Sequence, residues 1–251
     1  MTKPLIVGNW KMNTLCDEAV TLANDITDIA QSLASQVDIG ICPPFPWIIP
    51  VANAAAGSPI RVGAQDCAAT GDGAYTGDVS ATMLSTCCSF TLVGHSERRQ
   101  HHQESDDTVR RKLDQALIAD LDVILCVGES GQDRTDGIAD DIVRSQLGSA
   151  LDGVSHDQLA NIAIAYEPVW AIGTGTAATA DDAADMATTI RRDLESRFGS
   201  AASIRILYGG SANDSNAASF LAASNVNGLL VGGASLSAER FGAMLRQAAT
   251  A

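Results

Sequence analysis

Three side chains that can move protons or hold anions follow short apolar runs of the sequence. Glu167, His95 and Lys11 each come at or just past the end of such a run. A partly desolvated carboxylate is a serviceable general base, and a neutral imidazole can polarise a carbonyl by donating a hydrogen bond. An ammonium group can stabilise the oxyanion that forms when a proton leaves the neighbouring carbon. Together these groups indicate proton transfer on a small carbonyl compound.

Two glycine-rich turns come later in the chain, at Gly209-Gly210-Ser211 and at Gly232-Gly233. One such turn is weak evidence, because glycine serves any tight turn. Both follow apolar runs, the seventh and the eighth, and backbone N–H groups at these places form the phosphate site of many α/β barrels. The two turns therefore predict that the carbonyl compound carries a phosphate group.

Each residue also has an ordinary interpretation when it is taken alone. A lone glutamate is more often a surface ion-pair partner, a lysine a solvated cation and a histidine a structural residue. The context favours function for Glu167, because the following segment 168–176 is apolar and contains two glycines. Such a segment suits a lid that closes over a ligand. His101, His102 and His156 lack a comparable context and receive no role.

Eight short apolar runs alternate with amphipathic or alanine-rich segments along the chain. The predicted strands are Leu5–Asn9, Val37–Cys42, Arg61–Gln65, Phe90–Gly94, Asp122–Val127, Asn161–Tyr166, Ile204–Tyr208 and Gly228–Val231. The predicted helices lie near Asp17–Leu33, Trp47–Ala56, Ala81–Cys87, Asp106–Ala119, Ile138–Leu151, Asp181–Phe198, Ser215–Ala222 and Ala238–Ala248. Nearly apolar strands predict a parallel sheet that is covered by helices on its faces.

Eight strand–helix units in 251 residues predict one α/β domain, a closed (β/α)8 barrel that spans residues 1–251. An open, doubly wound sheet is the alternative. Its phosphate-binding GxGxxG pattern is missing, because the first strand runs into Gly8-Asn9-Trp10-Lys11. In a barrel, functional side chains gather at the carboxyl ends of the strands, which is where the candidate residues fall.

The charge balance limits the classes of partner. Sixteen Lys and Arg against thirty Asp and Glu give a net charge of −14, which disfavours nucleic acid and anionic membrane surfaces. The first residues do not read as a secretory signal, and no apolar run reaches the roughly 18 residues of a membrane span. Six scattered cysteines without metal-ligand spacing predict free thiols, so we expect a cytoplasmic protein.

Five motifs in order carry a resemblance to a known family. They are Asn9-Trp10-Lys11 and the segments 93–99 (VGHSERR), 166–175 (YEPVWAIGTG), 208–211 (YGGS) and 231–236 (VGGASL). The chain resembles the triosephosphate isomerase family from end to end, whose fold is the TIM barrel. The resemblance implies interconversion of dihydroxyacetone phosphate and D-glyceraldehyde 3-phosphate through an enediolate, in glycolysis and gluconeogenesis. It implies neither a metal nor an organic cofactor.

The resemblance also implies roles for individual residues. Glu167 would move the proton and His95 would be the neutral electrophile, the pattern of tuned groups already described for this family. Asn9 and Lys11 would support the enediolate. The phosphate would be bound by Gly173, Ser211, Gly232 and Gly233. Tyr208 and Ser211 would latch the closed lid 168–176, and Ile172 and Leu230 would cover Glu167. Glu97 and Cys126 would support the catalytic residues.

Members of this family are typically homodimers, in which a long loop after the third strand enters the partner's site. Residues 65–79 match that loop, and Thr76 is the residue expected to reach the partner. An exposed flexible loop is the alternative interpretation of its glycines.

Three residues depart from the family's usual pattern: Asp66 stands where the family usually has Asn, Thr176 where Lys is common and Asn227 where Asp is common. They bear on dimer affinity and lid kinetics.

The sequence argues against two kinds of rival function, another phosphate-binding barrel enzyme and a barrel that only binds. A Schiff-base aldolase needs a lysine on a barrel strand, and neither Lys3 nor Lys112 is so placed. A metal-dependent sugar-phosphate epimerase needs His and Asp ligands at several strand ends, which the sequence does not offer. A barrel retained only as a binding protein would tolerate loss of Glu167, His95 or Lys11, and all three are present.

Overall fold

Eight parallel strands close into a barrel in the computed structural model, which describes residues 3–172, 178–199 and 204–251. Each strand pairs with the next along the chain, and β8 pairs with β1 through Leu5 and Gly228. The strands are β1 (Leu5–Asn9), β2 (Asp38–Cys42), β3 (Ile60–Ala64), β4 (Phe90–Val93), β5 (Asp122–Val127), β6 (Ile162–Tyr166), β7 (Ile206–Tyr208) and β8 (Gly228–Val231). The predicted α/β barrel is confirmed.

Ten helices occupy the connections within the described residues. They are α1 (Cys16–Ala30), α2 (Ile48–Ala54), α3 (Ala81–Ser85), α4 (Ser96–His101), α5 (Asp106–Ile118), α6 (Gly131–Thr135), α7 (Ala139–Ala150), α8 (Ala180–Phe198), α9 (Ala217–Leu221) and α10 (Ala238–Ala248). The predicted helices do not include α6, and for α4 the sequence indicated only the start of a short helical turn at Ser96 and Glu97. Both are short and polar, so neither presents an apolar repeat along its length.

The strands are buried on both faces, which explains their apolar composition. One cluster of buried side chains fills the barrel and includes Val7, Leu92, Ile124 and Leu207. A larger cluster packs the other strand face against the surrounding helices. Because both faces are packed, the register of each strand is fixed, and the side chains at its carboxyl end are held at defined places.

The start of α8 is fixed by its own residues. Thr179 caps the helix by accepting a hydrogen bond from the Asp182 amide, and the Asp182 carboxylate accepts one from the Thr179 amide in return. Gly199, with φ of 75°, ends the helix. Among the described residues, no helix is long and apolar enough to cross a membrane.

Candidate active site

A cavity of about 560 Å³ lies at the carboxyl end of the barrel. It is lined by side chains and turns that follow several different strands. Ten of the predicted site residues contribute to its wall: Asn9, Lys11, His95, Glu97, Glu167, Ile172, Ser211, Leu230, Gly232 and Gly233. The structure therefore brings together residues that are spread over more than 220 positions of the sequence.

Glu167 lies directly after β6 and is only 1 % exposed. Its Oε2 accepts a hydrogen bond of 2.7 Å from the backbone amide of Ser96. Its Oε1 lies 3.1 Å from Nε2 of His95. A buried carboxylate with one oxygen facing an imidazole can exchange a proton with a small ligand that is also in contact with that imidazole.

The main chain of Glu167 has no room to shift. Its amide donates to the Val127 carbonyl at 2.8 Å, and a Cβ at Gly128 would lie 1.8 Å from the Glu167 carbonyl oxygen. Only glycine fits at position 128 for that reason. Cys126 lies fully buried in β5, where burial and then the Glu167 charge raise the pKa of its thiol. Cys126 is thus an uncharged neighbour of the carboxylate.

The orientation of His95 is set by the start of α4. Its Nδ1 accepts a hydrogen bond of 3.2 Å from the Glu97 amide, so His95 caps that helix. The preceding Gly94 has φ of 74°, and its carbonyl accepts a hydrogen bond of 2.9 Å from Nε of Arg99. An imidazole that accepts at Nδ1 carries its proton on Nε2, the atom that faces Glu167.

Lys11 follows β1 in a left-handed backbone conformation, with φ of 51°. That conformation is unfavourable for lysine, and three contacts hold it. The Lys11 amide donates to the Asn9 side chain at 3.0 Å, and Nε2 of Gln65 donates to the Lys11 carbonyl at 2.8 Å. The ammonium group pairs with the Glu97 carboxylate. Burial alone would raise the pKa of Glu97, but the bound ammonium lowers it below its ordinary value.

The turns after β7 and β8, two neighbouring strands of the barrel, both line the cavity. The carbonyl of Gly232 accepts two hydrogen bonds from Ser235, at 2.8 Å from the amide and at 2.7 Å from Oγ. A Cβ at Gly232 would lie 3.4 Å from Cε of Lys11, so this turn is next to the ammonium group. Ser211 donates its hydroxyl proton to the carbonyl of Ala171 at 2.6 Å. The turn after β8 and the ammonium group of Lys11 therefore share one side of the cavity.

Glu129 is a site residue that the sequence analysis missed. It is fully buried, and its Oε1 accepts hydrogen bonds from the Tyr166 hydroxyl at 3.0 Å and from Nε1 of Trp170 at 2.7 Å. Burial raises the pKa of Glu129, while the Trp170 hydrogen bond opposes that rise. Glu129 comes two residues after β5. The rule that functional side chains follow the carboxyl ends of barrel strands could therefore have predicted it. Its contacts fix the first residues of the predicted lid.

The structure describes some of the residues that were predicted to latch the lid or to cover Glu167. Tyr208 is buried, its ring stacks on Phe220 with 3.9 Å between centroids, and burial raises the pKa of its hydroxyl. Ile172 and Leu230 line the cavity that contains Glu167. Gly173 and Thr176 lie outside the described residues.

The loop 65–79 lies beside this site and holds Thr76 at an exposed position. Its base is closed by a hydrogen bond of 2.8 Å from the Ala68 amide to the Val79 carbonyl. Thr76 does not line the first cavity. A second cavity of about 460 Å³ lies on the other side of Lys11 and His95 and is also lined by Phe45 and Gln65.

Two of the three departures from the family pattern lie within the described residues. The side-chain oxygen of Asn227 accepts hydrogen bonds of 3.0 Å from Arg191 and from the Ile206 amide. Asn227 therefore acts as a hydrogen-bond acceptor at this position. Asp66 is buried against Lys112. Burial raises the pKa of Asp66, and the ammonium of Lys112 opposes that rise.

Comparison with known proteins agrees with this geometry. The sequence model of the family described as triosephosphate isomerase matches residues 4–248. The triosephosphate isomerase of Prosthecochloris aestuarii is 43% identical over 251 residues, 99% of each chain. That of Chloroflexus aurantiacus is 47% identical over 244 residues, 96% of this chain and 97% of the relative. A crystal structure of triosephosphate isomerase from Bartonella henselae superposes with a TM-score of 0.89 at 38% identity, over 98% of this chain and 99% of that one. The chain belongs to the triosephosphate isomerase family.

Proposed function

We propose that Glu167, His95 and Lys11 catalyse the reaction of this family, the interconversion of dihydroxyacetone phosphate and D-glyceraldehyde 3-phosphate. The observation that carries the proposal is the distance of 3.1 Å between Oε1 of Glu167 and Nε2 of His95. A base and a proton donor so close together can act on adjacent atoms of one small substrate. The Lys11 ammonium lines the same cavity.

The reaction begins when Glu167 takes a proton from the carbon beside the carbonyl group. The electron pair of that C–H bond forms the carbon–carbon double bond, and the carbonyl electrons move to oxygen. His95 donates a hydrogen bond from Nε2 to this oxygen, and Lys11 offsets its negative charge. Transfer of a proton between the two oxygens and return of the carbon-bound proton to the neighbouring carbon give the other triose phosphate. Asn9 keeps Lys11 in place through the hydrogen bond to its amide.

The phosphate group is proposed to bind between the turns after β7 and β8. Ser211, Gly232 and Gly233 supply backbone N–H groups there, and Gly173 would supply another from the lid. Gly233 begins a short 3₁₀ segment, Gly233–Leu236, directly after β8. Such a turn leaves several amides free to bind phosphate oxygens. Lys11 provides a local positive charge in a chain whose net charge is −14.

Residues 168–176 are proposed to close over the bound substrate as a lid. The contacts of Trp170 with Glu129 and of Ala171 with Ser211 support this assignment, because they hold the start of the segment at the cavity. Tyr208 and Ser211 would latch the closed lid, and Ile172 and Leu230 would then cover Glu167. Exclusion of water strengthens each charge interaction within the site.

We also propose that the chain forms a homodimer through the loop 65–79. Tyr75, a large apolar residue of this loop, is 52 % exposed, and Met12 and Met83 are 95 % and 55 % exposed. A protein interface would bury large apolar side chains of this kind. The second cavity, beside Lys11 and His95, offers room for the tip of a partner's loop with Thr76.

The proposed location is the cytoplasm. All six cysteines are free thiols in the structure, and four of them are buried. Free thiols persist in a reducing compartment.

A coupled assay tests the proposed reaction directly. The purified chain is given D-glyceraldehyde 3-phosphate, and a dehydrogenase with NADH reports the dihydroxyacetone phosphate that forms. We expect kcat/KM above roughly 10⁴ M⁻¹ s⁻¹, the lower end for ordinary enzymes. The Glu167→Gln variant is the matched control, because it removes only the charge of the proposed base. A rate no higher than that of this variant would contradict the proposal.

A further inference from the structure

A cluster of four charged side chains, three of them buried, lies next to the end of β3. Nζ of Lys112 on α5 lies 2.6 and 2.7 Å from the two carboxylate oxygens of Asp66, which follows β3, and 2.5 Å from Glu104. Nε of Arg98 on α4 lies 2.8 Å from Asp66 and 2.6 Å from Glu104. The cluster therefore joins the end of β3 to both α4 and α5.

The charges of this cluster balance only when Asp66 is ionised. Two cations, Arg98 and Lys112, then face two carboxylates, and Asp66, Glu104 and Lys112 are all buried. If Asp66 were neutral, both cations would share the single carboxylate of Glu104. A buried charge that loses its partner is costly, so the surrounding elements would move apart or admit water.

Two separate routes lead from Asp66 to Lys11. On one side, Asp66 follows Gln65, whose side-chain amide donates to the carbonyl of Lys11 at 2.8 Å. On the other side, Asp66 holds Arg98, which follows Glu97, the partner of the Lys11 ammonium. One route reaches the backbone of Lys11 and the other its charged end. Because the Lys11 backbone is in a left-handed conformation, it depends on such contacts.

The His95 carbonyl accepts a hydrogen bond of 2.8 Å from the Arg98 amide, but other contacts, which do not involve the charged groups of the cluster, hold its imidazole. Arg99 donates to the Gly94 carbonyl at 2.9 Å and pairs with Asp106 at 2.6 Å, and neither contact involves the cluster. The Glu97 amide orients the imidazole from within the same helical turn. A change at position 66 is therefore expected to disturb Lys11 more than His95.

We propose that Asp66 is a positioning residue for Lys11: its carboxylate holds Gln65 and α4 together, so that the Lys11 ammonium stays where the substrate phosphate binds. The inference rests on the proposed role of Lys11 in the isomerase reaction. The charge of the phosphate is present in the substrate and throughout the reaction. Loss of this positioning therefore weakens phosphate binding, and because Lys11 also offsets the charge of the enediolate oxygen, it slows the chemical step as well.

The Asp66→Asn variant tests this role, with Asp122→Asn as the matched control. The control removes the same charge and breaks an ion pair of 2.6 Å with Arg61 away from the site. For Asp66→Asn we expect KM to rise and kcat to fall, each by roughly 3- to 10-fold. Inorganic phosphate, used as a competitive inhibitor, should lose affinity by a similar factor. The control should leave both constants unchanged.

Three results would overturn the inference. The first is unchanged phosphate affinity in Asp66→Asn, and the second is a loss of kcat with unchanged KM. The third is an equal loss in both constants together with a fall in mass by light scattering, which would make Asp66 an interface residue. If Asp66→Asn does not fold, Arg98→Gln interrupts the same contact and should change KM, kcat and phosphate affinity in the same direction. Unchanged phosphate affinity in Lys11→Met, measured by titration calorimetry, would instead refute the proposed role of Lys11, and this inference with it.

Discussion

Shortening Glu167 by one methylene, in the Glu167→Asp variant, moves its carboxylate back by about 1.5 Å. The backbone cannot compensate, because the Glu167 amide is bonded to Val127 and its carbonyl is packed against Gly128. The variant should therefore fold as the wild type does and keep the charge of the base, but hold it too far from the substrate carbon.

The expected cost follows from that displacement. A misplacement of about 1 Å can slow a positioned reaction by roughly 100-fold. We therefore expect kcat to fall by roughly 100-fold, which corresponds to about 2.7 kcal/mol of barrier. KM should change little, because the proposed phosphate contacts come from Lys11 and from the turns after β7 and β8.

The coupled assay measures both constants, and thermal unfolding checks that the barrel is intact. Glu239→Asp on α10 is the matched control, since it shortens a glutamate in the first turn of a helix. A Glu167→Asp variant with kcat within about 3-fold of the wild type would refute the assignment of Glu167 as the base. A rise in KM with unchanged kcat would refute it as well.

Three further variants test other parts of the site. Lys11→Met should leave the chain folded but abolish activity, because the cavity loses its cation; retained turnover and affinity in the kinetic assay would make Lys11 an ordinary surface residue. Thr76→Arg should give a poorly active monomer, because it places a charge in a packed interface, and an unchanged dimer by light scattering would refute this interface. Deletion of residues 172–175 should lower turnover and release phosphate and methylglyoxal from the exposed enediolate. NMR of the products measures that partition, and slower turnover without methylglyoxal would refute a protective lid.

The strands could be predicted from the sequence because the barrel buries both of their faces. Each of the eight apolar runs became a strand, with ends within two residues of those expected. Long amphipathic helices such as α8 were also predicted, since their apolar residues repeat every three or four positions. The helix α4 shows the limit. Its sequence SERRQH has no apolar repeat, and the chain forms it because His95 caps it and Arg99 ties it to Gly94.

The site residues that follow the carboxyl ends of strands could be predicted from the sequence. That rule placed Lys11, His95 and Glu167 at one end of the barrel, and the structure has them around one cavity. The contacts that hold these residues could not be predicted. Gln65 and Lys11 are 54 positions apart, and no local pattern indicates that their side chain and carbonyl meet. The cluster around Asp66 likewise depends on charges from three segments that only the fold brings together.

The central claim is that a base on this chain removes a carbon-bound proton and returns it to the neighbouring carbon. Turnover of D-glyceraldehyde 3-phosphate in D2O, followed by proton NMR of the dihydroxyacetone phosphate, tests it most directly. A carboxylate that holds the proton can exchange it with solvent, so we predict deuterium at carbon 1 of part of the product, and none above background with Glu167→Gln. Complete retention of the original hydrogen in the product of the wild type would indicate a hydride shift and would contradict the account.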